Sequence, residues 1–255
     1  MINSAFYKIR NFHTLWEELN LLWRRDQLSQ QDILFLADNF PNYAALAITH
    51  KAKFNQRLEV ILTIKEFIPR GELRTISREM KLLISAIIVM ITFGWSNVRL
   101  AHFRRILVYP DSYYSTISKK YHRGEVNPTH GIIVISCSGL LEGLKNDSDG
   151  INLGIHEVAH ALKLENQIYS NNEFEFFDTK IYTEFQNLAN REIAKINTRA
   201  PTIFRLSGGF NDHEFFAVAL EVFFERPTVF FEYNPHLYGI LVQLLQQDPR
   251  VWLNK

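Results

Sequence analysis

The stretch Asn152-Leu153-Gly154-Ile155-His156-Glu157-Val158-Ala159-His160-Ala161-Leu162 decides how this chain is read. His156 and His160 stand four residues apart, so on an α-helix both imidazoles leave the same face, one turn apart. Two imidazoles so placed are what a tetrahedral Zn2+ takes from a single helix. Glu157, beside the first histidine, is placed to accept a proton from a metal-bound water as that water attacks a peptide carbonyl. The same carboxyl then passes the proton to the leaving amine, so no protein nucleophile is needed. Leu153, Ile155, Val158, Ala159, Ala161 and Leu162 are all uncharged, as expected of a helix buried on the side away from a metal.

Outward from this helix, two short segments read as strands. Arg105-Ile106-Leu107-Val108-Tyr109 is β-rich and stopped by Pro110, and Gly131–Ser136 follows a turn-like stretch from Glu125 to His130. Before them, Leu82–Phe93 carries apolar residues on every side and belongs at the centre of the core. The first 70 residues read as helices. Leu15, Trp16, Leu19, Leu22 and Trp23 recur at helical spacing; Ser29-Gln30-Gln31-Asp32 forms a capping box; Phe54, Leu58, Ile61 and Leu62 mark another amphipathic face. Downstream, one helix runs from Asn211 or Asp212 to Glu225 and is ended by Pro227. The last begins at Asn234-Pro235 and stops before Pro249. The class is therefore α+β, helix-dominated, with a small mixed sheet in the middle. No repeat or linker divides it, so a single domain over 1–255 is expected, an N-terminal helical region (1–70) packed on a core (71–255).

Composition narrows the function. Of 255 residues 47% are hydrophobic and 20 are Phe, enough for a large ring-rich core. A net charge of +1 leaves no electrostatic footprint for nucleic acid or an anionic membrane. The longest apolar run, Leu82 to Trp95, is too short for a membrane span, which takes about 20 residues. One cysteine, Cys137, excludes an internal disulfide framework, and the first residues lack the pattern of a secretory signal. A cytoplasmic protein is expected.

A third metal ligand is not settled by spacing. Glu184 lies at a separation seen between ligands in some zinc peptidases, while Glu214 opens Glu214-Phe215-Phe216-Ala217 on a separate helix. Glu221 sits two turns beyond Glu214 on much the same face. Each has an ordinary alternative: Glu184 as a solvated helix residue, and Glu214 as the third residue of a capping box begun by Asn211.

With these motifs the chain resembles the Mlc titration factor A family of zinc metallopeptidases. The likeness rests on Asn152–Leu162, Ile106–Pro110, Gly124-Glu125-Val126 and Asn211 through Pro227. Weaker similarity runs through Tyr43, Phe54, Arg57, the Leu82 helix and Gln247-Asp248-Pro249. The resemblance implies a zincin-type core, related in its metal site to the protease domain of anthrax lethal factor, with Zn2+ as cofactor and peptides or proteins as substrates. It makes the Glu opening the Glu-Phe-Phe-Ala block the third ligand, which lands on Glu214 and leaves Glu184 as runner-up. Glu221 then reads as holding a ligand histidine by hydrogen bond. Relatives are associated with aminopeptidase-like cleavage and with binding a transcriptional repressor of sugar uptake. No segment of this chain identifies a free-amine pocket or a repressor-binding surface, although a regulatory protein partner is the alternative function.

One departure bears on activity. Relatives commonly carry a Tyr seven residues before the ligand Glu, thought to stabilise the oxyanion; this chain has Ser207 there. Loss of one such donor typically costs ~10²–10³ in rate. Three further expectations concern the surroundings of the site. Gly131–Ser136 reads either as an edge strand that pairs with substrate or as an ordinary interior strand, and Asn166–Asp178 is a candidate lid because it follows the metal helix. Cys137 and the histidines at 13, 50, 102, 122, 130, 213 and 236 are expected to be structural.

Overall fold

Residues 26–115, 119–169 and 173–253 are described by the computed structural model. The helix expected around Leu15 to Trp23, and His13, lie outside them. Ser29 starts the first described helix, α1 (Gln30–Asn39), through the capping box: its hydroxyl accepts from Asp32 N and Asp32 accepts from Ser29 N. A short α2 (Pro41–Ala44) leads into α3 (Ile48–Ile64), which buries Phe54, Leu58, Ile61 and Leu62 at helical spacing. After strand β1 (Glu66–Pro69), Ser77 caps α4 (Arg78–Thr92). Every residue of α4 from Leu82 to Thr92 is buried. A helix apolar all round has to be enclosed, and its C-terminal carbonyls then need partners other than water. Arg57 donates to Phe93 O and Val98 O, and Gln247 to Met90 O and Ile91 O, so two distant segments close one helix end.

The chain continues through β2 (Arg105–Tyr109), β3 (Tyr113–Ser115), β4 (Lys120–His122), β5 (Gly124–Asn127) and β6 (Ile132–Ser136). The helices that follow are α5 (Cys137–Lys145), α6 (Leu153–Glu165), α7 (Thr179–Asn197), α8 (Asp212–Glu225), α9 (Pro227–Tyr233), α10 (Pro235–Leu245) and α11 (Pro249–Leu253), with a 3-10 turn at Leu206–Gly209 between α7 and α8. The main sheet has the order β1-β2-β6-β5, with β5 alone antiparallel; β3 and β4 form a separate hairpin. The α+β class, helix-dominated with a small mixed sheet, is as read from the sequence. Buried apolar side chains form one cluster from Leu36 in α1 to Leu245 in α10. The metal-motif helix α6 seats against α4 at Gly154, where a Cβ would fall 2.4 Å from Ile87 Cδ1.

Two expectations are corrected here. Gly131–Ser136 is not an edge: β6 has β2 on one side and β5 on the other. Part of the stretch read as a turn forms an edge instead, since Gly124–Asn127 is β5, the outer strand opposite β1. Its four residues are all half-buried, so they show none of the alternation that marks a strand, and pairing with β6 holds them extended.

Candidate metal centre

Two caps aim the donors. Asn152 caps α6 by accepting from Ile155 N, and Asn211 caps α8 by accepting from His213 N and Glu214 N. Glu214, in the first turn of α8, directs its carboxylate to α6, 3.5 Å from Nε2 of both His156 and His160. The two Nε2 atoms are 3.1 Å apart. Among the described residues this trio is the group of His, Cys, Asp and Glu close enough to hold a metal ion. Tetrahedral Zn2+ with bonds near 2.05 Å would space its ligand atoms by ~3.3 Å, so the donor set fits with little adjustment.

Glu221, fully buried on α8, orients the first histidine. It accepts from His156 Nδ1 at 2.7 Å, from the backbone N–H of Asn152 at 2.7 Å, and from the Arg205 guanidinium. Because a carboxylate only accepts, Nδ1 carries a proton, and Nε2 is the ring atom turned to the cluster. The 3.0 Å approach of Arg205 Nη2 to that same Nδ1 is then a contact between two donors. Burial opposes charge on His156, yet Glu214 and Glu221 outweigh it and raise its pKa to about 9. The two histidines in turn hold Glu214 well below the usual carboxylate range. Outer partners of this kind typically set 10–100-fold in metal affinity. Glu221→Gln should therefore weaken metal binding by about that factor, with the far-UV spectrum unchanged, in a chelator competition.

Glu157 faces the opposite wall of the site. It is 5% exposed, and burial, reinforced by Glu214, Glu221 and Glu125 against the pull of His156, pushes its pKa up to about 8. Room for its carboxylate comes from a missing side chain: a Cβ on Gly124 would lie 2.4 Å from Glu157 Oε1. Next along β5, Glu125 accepts from Tyr113 OH at 2.9 Å. A cleft of about 940 Å³ opens over these groups, walled by β5, by Glu142 of α5 and Asn146 just beyond it, and by Arg205.

The profile of the family described as glucose-regulated metallopeptidase M90 matches residues 14–246. The chain belongs to that family. It is 24% identical over 252 residues to an uncharacterized protein of Synechocystis sp., covering 90% of each chain. It is also 24% identical to the Mlc titration factor A of Edwardsiella ictaluri, over 89% of this chain and 92% of the relative.

In this M90 chain the remaining expected residues are dispersed. Glu184, the runner-up ligand, lies on the exposed side of α7 and pairs with His236 at 2.8 Å, outside the donor cluster. Ser207 does not line the cleft, and its buried hydroxyl has no hydrogen-bond partner among the described residues. The described parts of the expected lid turn away from the site: Phe176 and Phe177 pack on Trp95, and Asn166 accepts from Phe177 N. Of the histidines read as structural, His122 lines the cleft, while His102 bonds Pro128 O. Cys137 opens α5, half-buried. Sequence reasoning missed Arg205, which carries no local signal, and the role of Gly124, whose only mark was its place in the family likeness.

Proposed function

We propose that this M90 chain is a zinc-dependent peptidase in which His156, His160 and Glu214 hold Zn2+ and Glu157 is the general base. What carries the reading is the convergence of three ligand side chains on the floor of an open cleft, the two Nε2 atoms 3.1 Å apart and each 3.5 Å from one oxygen of Glu214, with a second, non-ligand carboxyl buried beside them. Bound there, zinc would supply Lewis acidity toward the carbonyl and a water acidified to a pKa of about 7. The Glu157 carboxylate takes the proton of the attacking water and delivers it to the leaving nitrogen. Burial, which raises its pKa in the metal-free protein, makes its carboxylate a stronger proton acceptor than an exposed one. Glu221 keeps the His156 ring turned for its task throughout. An extended peptide adds to the free edge of β5, whose Gly124, Glu125 and Val126 border the cleft.

The proposal includes a zincin-like core over 71–255, joined with residues 1–70 in one domain; the continuous apolar cluster, which with the partly buried side chains packed on it starts at Leu28 among the described residues, supports this for the part it covers. It also includes a cytoplasmic location, supported by the single cysteine, and no helix among the described residues is long and apolar enough to cross a membrane. A second reading, a zinc-containing regulatory protein that binds a protein partner, is favoured by the withdrawn Ser207 hydroxyl and by the relative named Mlc titration factor A. Turnover of a broad peptide library separates the two. The peptidase reading expects cleavage that chelation removes and stoichiometric zinc restores; a zinc-loaded protein inert on every peptide would favour the partner-binding reading.

A further inference from the structure

Resting on the peptidase reading, we infer that Arg205 is a second oxygen-binding group of the cleft, its guanidinium receiving a carbonyl oxygen of the bound peptide. Ser207 leaves the site without the hydroxyl donor that relatives are thought to use, since its Oγ is buried and off the cleft wall. The other cations on that wall are committed or remote. Arg123 is ion-paired with Glu142, both half or more exposed, and Lys145 is the last residue of α5. Arg205 alone among them touches a metal-ligand histidine, with Nη2 3.0 Å from His156 Nδ1.

Its attachment leaves donors over. Nη2 is bound to Glu221, a carboxylate that is itself pinned by Asn152 N and His156, so the guanidinium plane is set from below. A guanidinium carries five N–H donors in a fixed fork. Nε is shielded from solvent without a hydrogen-bond partner, and no partner among the described residues takes Nη1, although the side chain is 34% exposed and lines the cleft. A cation that only had to support Glu221 would not need a third of its side chain exposed. Fixed in advance beside the metal ligands, such a charge acts on oxygen with little reorganisation.

The oxygen is either that of the scissile carbonyl, which gains charge in the tetrahedral adduct, or that of the next carbonyl along the peptide. Zinc-loaded wild type, Arg205→Gln and Arg205→Lys would be compared in steady-state kinetics, in zinc affinity by chelator competition, and in binding of a peptide phosphinate that mimics the adduct. Arg205→Gln is expected to lose ~10²–10³ in kcat/KM, with a smaller loss in Arg205→Lys and zinc affinity falling no further than in Glu221→Gln. A loss in kcat with an equal loss in phosphinate affinity assigns the scissile oxygen; a rise in KM with kcat kept assigns its neighbour. Turnover and zinc affinity falling by one common factor would overturn the inference, because Arg205 would then act only through Glu221 and His156. So would phosphinate binding and turnover left intact in Arg205→Gln. A wild type that holds zinc yet neither cleaves peptides nor binds the phosphinate would contradict the peptidase reading itself.

Discussion

Glu157→Gln should keep its zinc and lose about 10³-fold or more in kcat, since proton transfer by a positioned base is commonly worth 10²–10⁴. The substitution preserves shape and removes only the ability to take a proton. Glu157 is outside the ligand trio, so metal affinity has no reason to fall. The metal-free fold is expected to hold or gain slightly in stability, because a buried carboxyl whose pKa is raised to about 8 is one the protein prefers neutral. Linkage gives the sign: with a folded pKa above the ordinary 4.5, the wild-type group costs the metal-free protein stability as pH climbs from that value through 8. The glutamine variant should therefore melt at an equal or higher temperature than metal-free wild type at pH 8. A variant that retained turnover, or lost zinc with it, would remove Glu157 from the mechanism.

Gly124→Ala is expected to reduce kcat by about 10²-fold without loss of zinc, the scale on which a displacement near 1 Å of a reacting group is felt. The added methyl would meet Oε1, Cδ and Cγ of Glu157 at 2.4–2.6 Å, where carbon contacts normally lie near 3.5 Å or beyond. Either Glu157 swings toward the metal ligands or β5 backs off from α6. An alanine is at ease in an extended strand, so β5 itself should persist. Because both changes act on one carboxyl, Gly124→Ala placed on Glu157→Gln should cost almost nothing further. Full additivity in that double variant would mean that Gly124 serves the substrate rather than the base.

These effects mark where sequence reasoning reached and where it stopped. Helices α4 and α6 were legible from dense apolar residues, and α8 and α10 from the starts at Asn211 and Asn234-Pro235 and the prolines that follow them; Ser77 and Asn152 add caps that the reading did not use. The two histidines and Glu157 were legible because one helical turn brings them together locally. The place of Glu214 beside them was legible only through the family resemblance, because it depends on α8 packing against α6, and spacing alone leaves Glu184 equally eligible. The edge strand was misassigned for a related reason. β6 is the more apolar segment, and strands buried on both faces are the ones read as strong, whereas Gly124-Glu125-Val126-Asn127 pairs on one side only. Arg205 sits 49 positions from His156 in sequence and meets it, and their shared partner Glu221, only in the folded chain, so no local pattern could mark it.

Zinc bound per chain, measured in purified wild type, Glu214→Ala and Glu184→Ala, tests the ligand set most directly. The proposed centre predicts near-stoichiometric zinc in wild type and in Glu184→Ala, with clear loss in Glu214→Ala. Zinc retained in Glu214→Ala but lost in Glu184→Ala, or absent from wild type even after reconstitution, would contradict it.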